Sequence, residues 1–111
     1  MEIDNRWIAD YEKAAEIIKS EMKDKLSKFE LLEENLQEKT YYYYLDYKYQ
    51  NMVLEVGGDQ GYIMFYLKIN DTPVSLPKEN LTFKELEAAS ENNFIIFIGL
   101  LKEYLEKHKL I

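Results

Sequence analysis

The 111-residue chain holds ten tyrosines, and four of them are consecutive, Tyr41-Tyr42-Tyr43-Tyr44. Tyrosine joins a large rigid ring to a hydroxyl, so a group of them suits a contact surface better than proton transfer at neutral pH. The other residues with chemical potential are sparse or poorly placed. The single histidine, His108, stands three residues before the last in a Lys/Glu-rich stretch. One histidine in a chain without cysteine builds no zinc site, and no nucleophile partner accompanies it, so it reads as a solvated helix-end residue. Gly57-Gly58-Asp59-Gln60-Gly61 looks at first like a phosphate loop. It lacks the lysine and Ser/Thr of such a loop and joins two strand-like segments, where a phosphate loop needs a following helix. It reads as a hairpin turn.

Carboxylates are plentiful, with 21 Asp and Glu. Catalytic use requires one of them to sit in a cleft with a raised pKa, which no spacing here marks. Ser20, Ser27, Ser75 and Ser90 stand in no nucleophile-elbow pattern. The expectation is a non-enzyme with no metal and no cofactor.

The net charge of −7 points the same way. Arg6 is the sole guanidinium, and the lysines are dispersed. Nucleic acid and anionic membrane both call for clustered cations, so neither is expected as a partner. The acidity suits a basic partner, or simply solubility. Without cysteine there are no disulfides or thiolate sites, which fits a reducing compartment. Met1-Glu2-Ile3-Asp4 lacks a basic and an apolar region, so no secretory signal is expected and the cytoplasm is the expected location. The run Phe94 to Leu101 is far too short to span a membrane. The sequons Asn70-Asp71-Thr72 and Asn80-Leu81-Thr82 then carry no meaning as glycosylation sites.

These side chains need elements to hold them. Trp7, Ile8, Tyr11, Ala14, Ala15, Ile18, Met22, Leu26 and Phe29 recur at steps of three and four, the stripe of an amphipathic helix ending near Lys28. Asp4 or Asn5 is its expected cap. Residues 29–40 are ambiguous. Phe29, Leu32 and Leu36 continue the helical stripe, whereas Phe29-Glu30-Leu31 suits a short edge strand. Thr40–Tyr49, Met52–Val56 and Tyr62–Ile69 are rich in strand formers.

Two-residue loops at Gln50-Asn51 and Asp59-Gln60 pair Tyr49 with Met52, Tyr47 with Leu54 and Leu45 with Val56. They then pair Val56 with Ile63, Leu54 with Phe65 and Met52 with Leu67. All nine side chains share one face, because side-chain direction alternates. One cost follows, since Asp46 and Glu55 oppose each other on the other face.

Pro73 and Pro77 bracket Val74-Ser75-Leu76, an edge strand or loop. Thr82 and Glu85 form a capping-box pattern for a helix from Phe83 to about Ala89. Ser90 or Asn92 caps a last helix to about Lys109. Its stretch Phe94–Leu101 is apolar all round and so needs burial on more than one side, with a buried strand at Phe94–Ile98 as the alternative. Gly99 is the expected point of close approach.

The expected fold is one α+β domain over residues 1–111, in the order α-β-β-β-α-α. An antiparallel meander of three to four strands carries the N- and C-terminal helices mainly on one face, and residues 29–33 or 74–76 supply the fourth strand. The outer face then carries Tyr42, Tyr44, Asp46, Lys48, Val53, Glu55, Tyr62, Met64, Tyr66 and Lys68. Four half-exposed tyrosines would present on the order of 300–500 Å² of aromatic surface, the size of the largest patch on a typical monomer.

Tyr42, Tyr44, Tyr62, Met64 and Tyr66 are the candidate partner-binding residues, unless the chain's own helix covers them. The expected function is that of a small acidic protein-binding domain that occludes or escorts a larger protein, like an immunity protein, an inhibitor or a chaperone. The alternatives are a self-associating homodimer and a small-molecule binder with a pocket between the sheet and the C-terminal helix.

Overall fold

A computed structural model describes residues 6–37 and 41–111. The order is α1 (Tyr11–Lys25), β1 (Glu30–Asn35), β2 (Tyr42–Tyr49), β3 (Met52–Asp59), β4 (Tyr62–Ile69), β5 (Thr72–Val74), α2 (Leu76–Glu79), α3 (Thr82–Glu85) and α4 (Glu91–Lys107). The strands form one antiparallel sheet in sequence order, β1-β2-β3-β4-β5. The fold is α+β, as expected. The sheet has five strands rather than three or four: β1 falls on the candidate segment 29–33, and β5 takes only Val74 of the candidate 74–76, because Ser75 stands at the N-cap of α2 and Leu76 begins it.

Helix α1 buries Tyr11, Ala14, Ala15, Ile18 and Met22, the stripe read from the spacing. It starts later than expected. Asp10 Oδ1 accepts from the Glu12 and Lys13 amides at 3.1 and 3.2 Å, taking up two donors that a longer helix would have bonded internally. The caps first expected, Asp4 and Asn5, lie outside the described residues. Trp7 and Ile8 therefore leave the helix, and the Ile8 amide donates to the Ala89 carbonyl at 3.0 Å.

Residues 30–35 are a strand, with a bulge at Leu32 between the pairs Leu31–Tyr47 and Glu33–Asp46. The first central hairpin has the expected register, Tyr49–Met52, Tyr47–Leu54 and Leu45–Val56. The second is displaced by two residues. Its turn is Gln60-Gly61, so Val56 pairs with Phe65, Leu54 with Leu67 and Met52 with Ile69. Both turn residues have positive φ, 52° and 86°, and the tight hairpin turn of this kind favours glycine in the second place. The glycine that closes the turn is Gly61, while Gly57 and Gly58 lie inside β3. A displacement of two keeps every side chain on its expected face.

After β5 the chain departs from the expected path. Asn80 Oδ1, not the Thr82 hydroxyl, accepts an amide at the start of α3, from Thr82 N at 3.0 Å. Helix α3 stops at Glu85 instead of Ala89. The following residues are extended against β4: Ile63 N donates to the Glu87 carbonyl at 2.8 Å and Ala89 N to the Gly61 carbonyl at 2.9 Å. This segment and β5 thus share the edge of β4, and its unpaired backbone is satisfied along most of its length. Ser90 Oγ accepts from the Asn93 amide at 3.1 Å and caps α4, which ends at Lys107.

Helices α1 and α4 pack on one side of the sheet. Phe94, Phe97, Ile98, Leu101 and Leu105 of α4 join Leu45, Leu54, Val56 and Leu67 in the core. The Phe65 and Phe97 rings stack at 4.6 Å between centroids, and Phe83 closes the group at 5.9 and 5.8 Å. Aromatic rings thus fill the space between α4 and β4 at this point. Gly99 marks no close approach. A Cβ placed on it would meet only the tip of Lys25, at 4.0 Å.

Candidate functional site: the open sheet face

The side of the sheet opposite α1 and α4 can be read as rows across the strands. One row runs Tyr42, Asp59, Tyr62. The next is Asn35, Tyr44, Gly57, Met64, followed by Glu33, Asp46, Glu55, Tyr66. The last is Glu30, Lys48, Val53, Lys68, Pro73. All five expected contact residues stand on this face together. Tyr62 and Tyr66 are 65% and 42% exposed, and Val53 between the two lysines is exposed as well. Tyr42, Tyr44 and Met64 are half-buried.

The two groups of tyrosines do different work. Tyr42 and Tyr44 lean together, with ring centroids 5.4 Å apart. The Tyr42 hydroxyl donates to Glu55 Oε1 at 2.6 Å, and the Tyr44 hydroxyl donates to Glu33 Oε1 at 3.3 Å while accepting from Asn35 Nδ2 at 3.4 Å. Burial, then the Glu55 hydrogen bond, pushes the Tyr42 phenol well above its ordinary value, so it remains a donor. These two rings hold carboxylates in place. Tyr62 and Tyr66 stand in solvent, and the Lys68 ammonium lies 5.6 Å from the Tyr66 ring centroid. The rest of the tyrosine run falls elsewhere. Tyr43 is buried against Tyr11, with centroids 4.4 Å apart, and Tyr41 is exposed at the turn before β2 with φ 55°. The alternation that divides Tyr42, Tyr43 and Tyr44 does not reach Tyr41, because it precedes the strand.

Between the tyrosines lies an acidic row. Glu33, Asp46 and Glu55 are direct neighbours on three adjacent strands, where such side chains stand about 4.5–5.5 Å apart. Among the described residues no lysine or arginine forms an ion pair with any of the three; the pair Lys19–Glu34, at 2.7 Å, joins α1 to β1 on the helical side. With Asp46 and Glu55 both ionised there is no proton between them, and Asp46 Oδ1 is then buried without a hydrogen-bond partner. Burial first, then a proton shared with Glu55 and the charges of Glu55 and Glu33, raises the Asp46 carboxyl to about 6.

A raised carboxyl favours the protonated folded state. Its contribution to stability is full below about pH 4 and is lost as the pH rises through about 6. Asp46→Asn mimics the protonated acid. It should stabilise the domain by about 1 kcal/mol at pH 7, allowing for solvent screening, and by nearly nothing at pH 4. Urea unfolding of both proteins at the two pH values measures this. A difference that does not shrink on acidification counts against the shared proton.

Sequence reasoning placed Asp46 and Glu55 opposite each other but missed Glu33. The bulge at Leu32 breaks the alternation in β1 and hides which of its glutamates face outward. It also placed Trp7 in the helical stripe. Trp7 is 55% exposed, with its ring beside Gly61 in the turn between β3 and β4. Comparison with family models, curated proteins and solved structures finds no match for the chain.

Proposed function

We propose that this chain is a small, acidic, non-catalytic domain that binds a larger protein through its open sheet face, as an immunity protein, an inhibitor or an escorting chaperone does. The observation that carries the reading is the asymmetry of the sheet. Both long helices pack on one side, and Tyr62 and Tyr66 project from the other at 65% and 42% exposure. Rigid aromatic side chains in solvent lose little conformational freedom on binding, and tyrosine is enriched among residues that dominate interfaces. The half-buried Met64 lies between Tyr62 and Tyr66 on β4, and the half-buried Tyr42 and Tyr44 extend the surface onto β2 across β3.

The test pairs capture with mapping. A protein retained from the native source by the wild-type domain should shield Tyr62 and Tyr66 from hydroxyl-radical labelling. Tyr62→Ala with Tyr66→Ala should weaken that capture at least tenfold, the usual scale for losing two interface anchors. Both residues are exposed, so the double variant should keep the wild-type melting temperature within a few degrees. Unaltered capture, or shielding confined to the helical side, removes this reading.

A further inference from the structure

The open face is not merely aromatic, and its charge says which protein surface fits it. Resting on the reading above, we propose that this face docks a protein surface rich in arginine and lysine, with Glu33, Asp46 and Glu55 receiving its cations.

Three observations converge. First, the described residues of the face carry Glu30, Glu33, Asp46, Glu55 and Asp59 against only Lys48 and Lys68. Interfaces match potentials of opposite sign, so a basic surface is steered toward this one. Second, the central row is held ready but unneutralised. Tyr42 and Tyr44 fix the carboxylates of Glu55 and Glu33, yet no cation among the described residues pairs with them. Like charges opposed across strands are destabilising, and an arriving guanidinium would turn that repulsion into charge-assisted hydrogen bonds. Third, the tyrosines of this face accept cations. Lys68 already lies over Tyr66, and the Tyr62 ring is open to receive another.

The same charges oppose a second copy as the occupant. A two-fold contact centred on this face brings the row Glu33, Asp46, Glu55 against its own image, and like-charge juxtaposition suppresses wrong partners. The free edge of β1, whose exposed residues include Glu30, Glu33 and Glu34, resists self-pairing for the same reason.

Asp46 gives the proposal an internal check. The groups facing it are Glu33 from β1, Glu55 from β3, and Tyr44 and Lys48 as its neighbours along β2, with the Tyr42 hydroxyl also within electrostatic reach. A docked cation favours the ionised row, so binding should release a proton and weaken as the pH falls through 6. Asp46→Asn should then make the free domain more stable and its docking weaker. A residue with a purely structural role moves both in one direction.

The experiment titrates the full chain with a deca-arginine peptide, followed by amide NMR shifts at pH 7 and pH 5. Shifts should concentrate on β1 to β4 at outward positions and diminish at pH 5. The triple variant Glu33→Gln, Asp46→Asn, Glu55→Gln should bind the peptide at least tenfold more weakly. The control variant Glu16→Gln, Glu103→Gln, Glu106→Gln removes the same charge from exposed helical positions and should change binding less than twofold. Equal losses in the two variants, or shifts spread over the helical side, overturn the proposal, as does a wild-type dimer through this face at pH 7 by sedimentation. If Tyr62 and Tyr66 are needed for capture of the native partner while the triple variant captures it normally, the basic-partner proposal fails and the protein-binding reading stands.

Discussion

Gly57→Ala should destabilise this domain by at least about 4 kcal/mol, the range reserved for severe core and backbone damage. Gly57 lies in β3 on the open face, paired with Tyr44 of β2. A Cβ there would stand 2.0 Å from the Tyr43 carbonyl oxygen and 2.8 Å from Tyr44 Cα. Those atoms are backbone, so relief requires the two central strands to part. Their separation would break ladder hydrogen bonds and disturb both hairpins that carry the tyrosines. Thermal unfolding should fall by roughly 15 °C or more, at about 4 °C per kcal/mol. Gly58→Ala meets a different obstacle, the Tyr43 ring, at 2.7 Å. A smaller side chain at position 43 should relieve the added burden at Gly58 and leave that at Gly57 untouched. A Gly57→Ala protein that melts within a few degrees of wild type contradicts the close approach of β2 and β3.

This pair of glycines also explains where sequence reasoning stopped. Gly57 and Gly58 were read as part of a turn because glycine is the usual turn residue. Their actual roles are distant in sequence: one admits the β2 backbone, the other the Tyr43 ring. Nothing within Val56–Gln60 announces either need. The turn moved to Gln60-Gly61, and the second hairpin moved with it by two residues. The faces survived that error because alternation records parity alone, not register. The open face was therefore legible, with Tyr42, Tyr44, Tyr62, Met64 and Tyr66 placed together, although the pairing of Tyr62 and Tyr66 with β3 was not.

Helix boundaries were hidden for another reason. A stripe containing Trp7, Ile8 and Tyr11 is equally compatible with a helix and with an extended lead-in. The choice went to Asp10, whose side chain takes the first amides of α1, and to the Ile8–Ala89 hydrogen bond. The latter joins segments about 80 residues apart, beyond the reach of any local pattern. The same applies to residues 87–90. The capping-box pattern of Thr82 and Glu85 upstream was genuine in form, but β4 offered its edge as a competing set of backbone partners, and pairing there ended the helix.

Phe97→Ala should be the second severe variant, lowering stability by about 3–5 kcal/mol. Phe97 is fully buried on α4, stacked on Phe65 of β4 at 4.6 Å and edge-on to Phe83 at 5.8 Å. The sheet is braced by long helices on one side only, so this ring has no substitute on the other face. Removing it takes away the ring's burial, leaves a cavity, and separates two aromatic contacts at once. Phe97→Leu retains most of the volume and should cost less than about 1.5 kcal/mol. The damage should also reach the functional surface. Phe65 and Tyr66 are successive residues of β4 on opposite faces, so a strand loosened under Phe65 no longer holds Tyr66 and Tyr62 in register. Hydrogen exchange in Phe97→Ala should therefore accelerate along β4 more than along the α1-side strand β2. Benzene offers a direct check, since a dry apolar cavity of roughly 150 Å³ binds it. It should raise the melting temperature of the alanine variant and leave wild type unchanged. A loss below about 1.5 kcal/mol, with no response to benzene, would mean that α4 can settle onto the sheet without this ring, and that the cluster of Phe65, Phe83 and Phe97 is not what fixes the helix against the sheet.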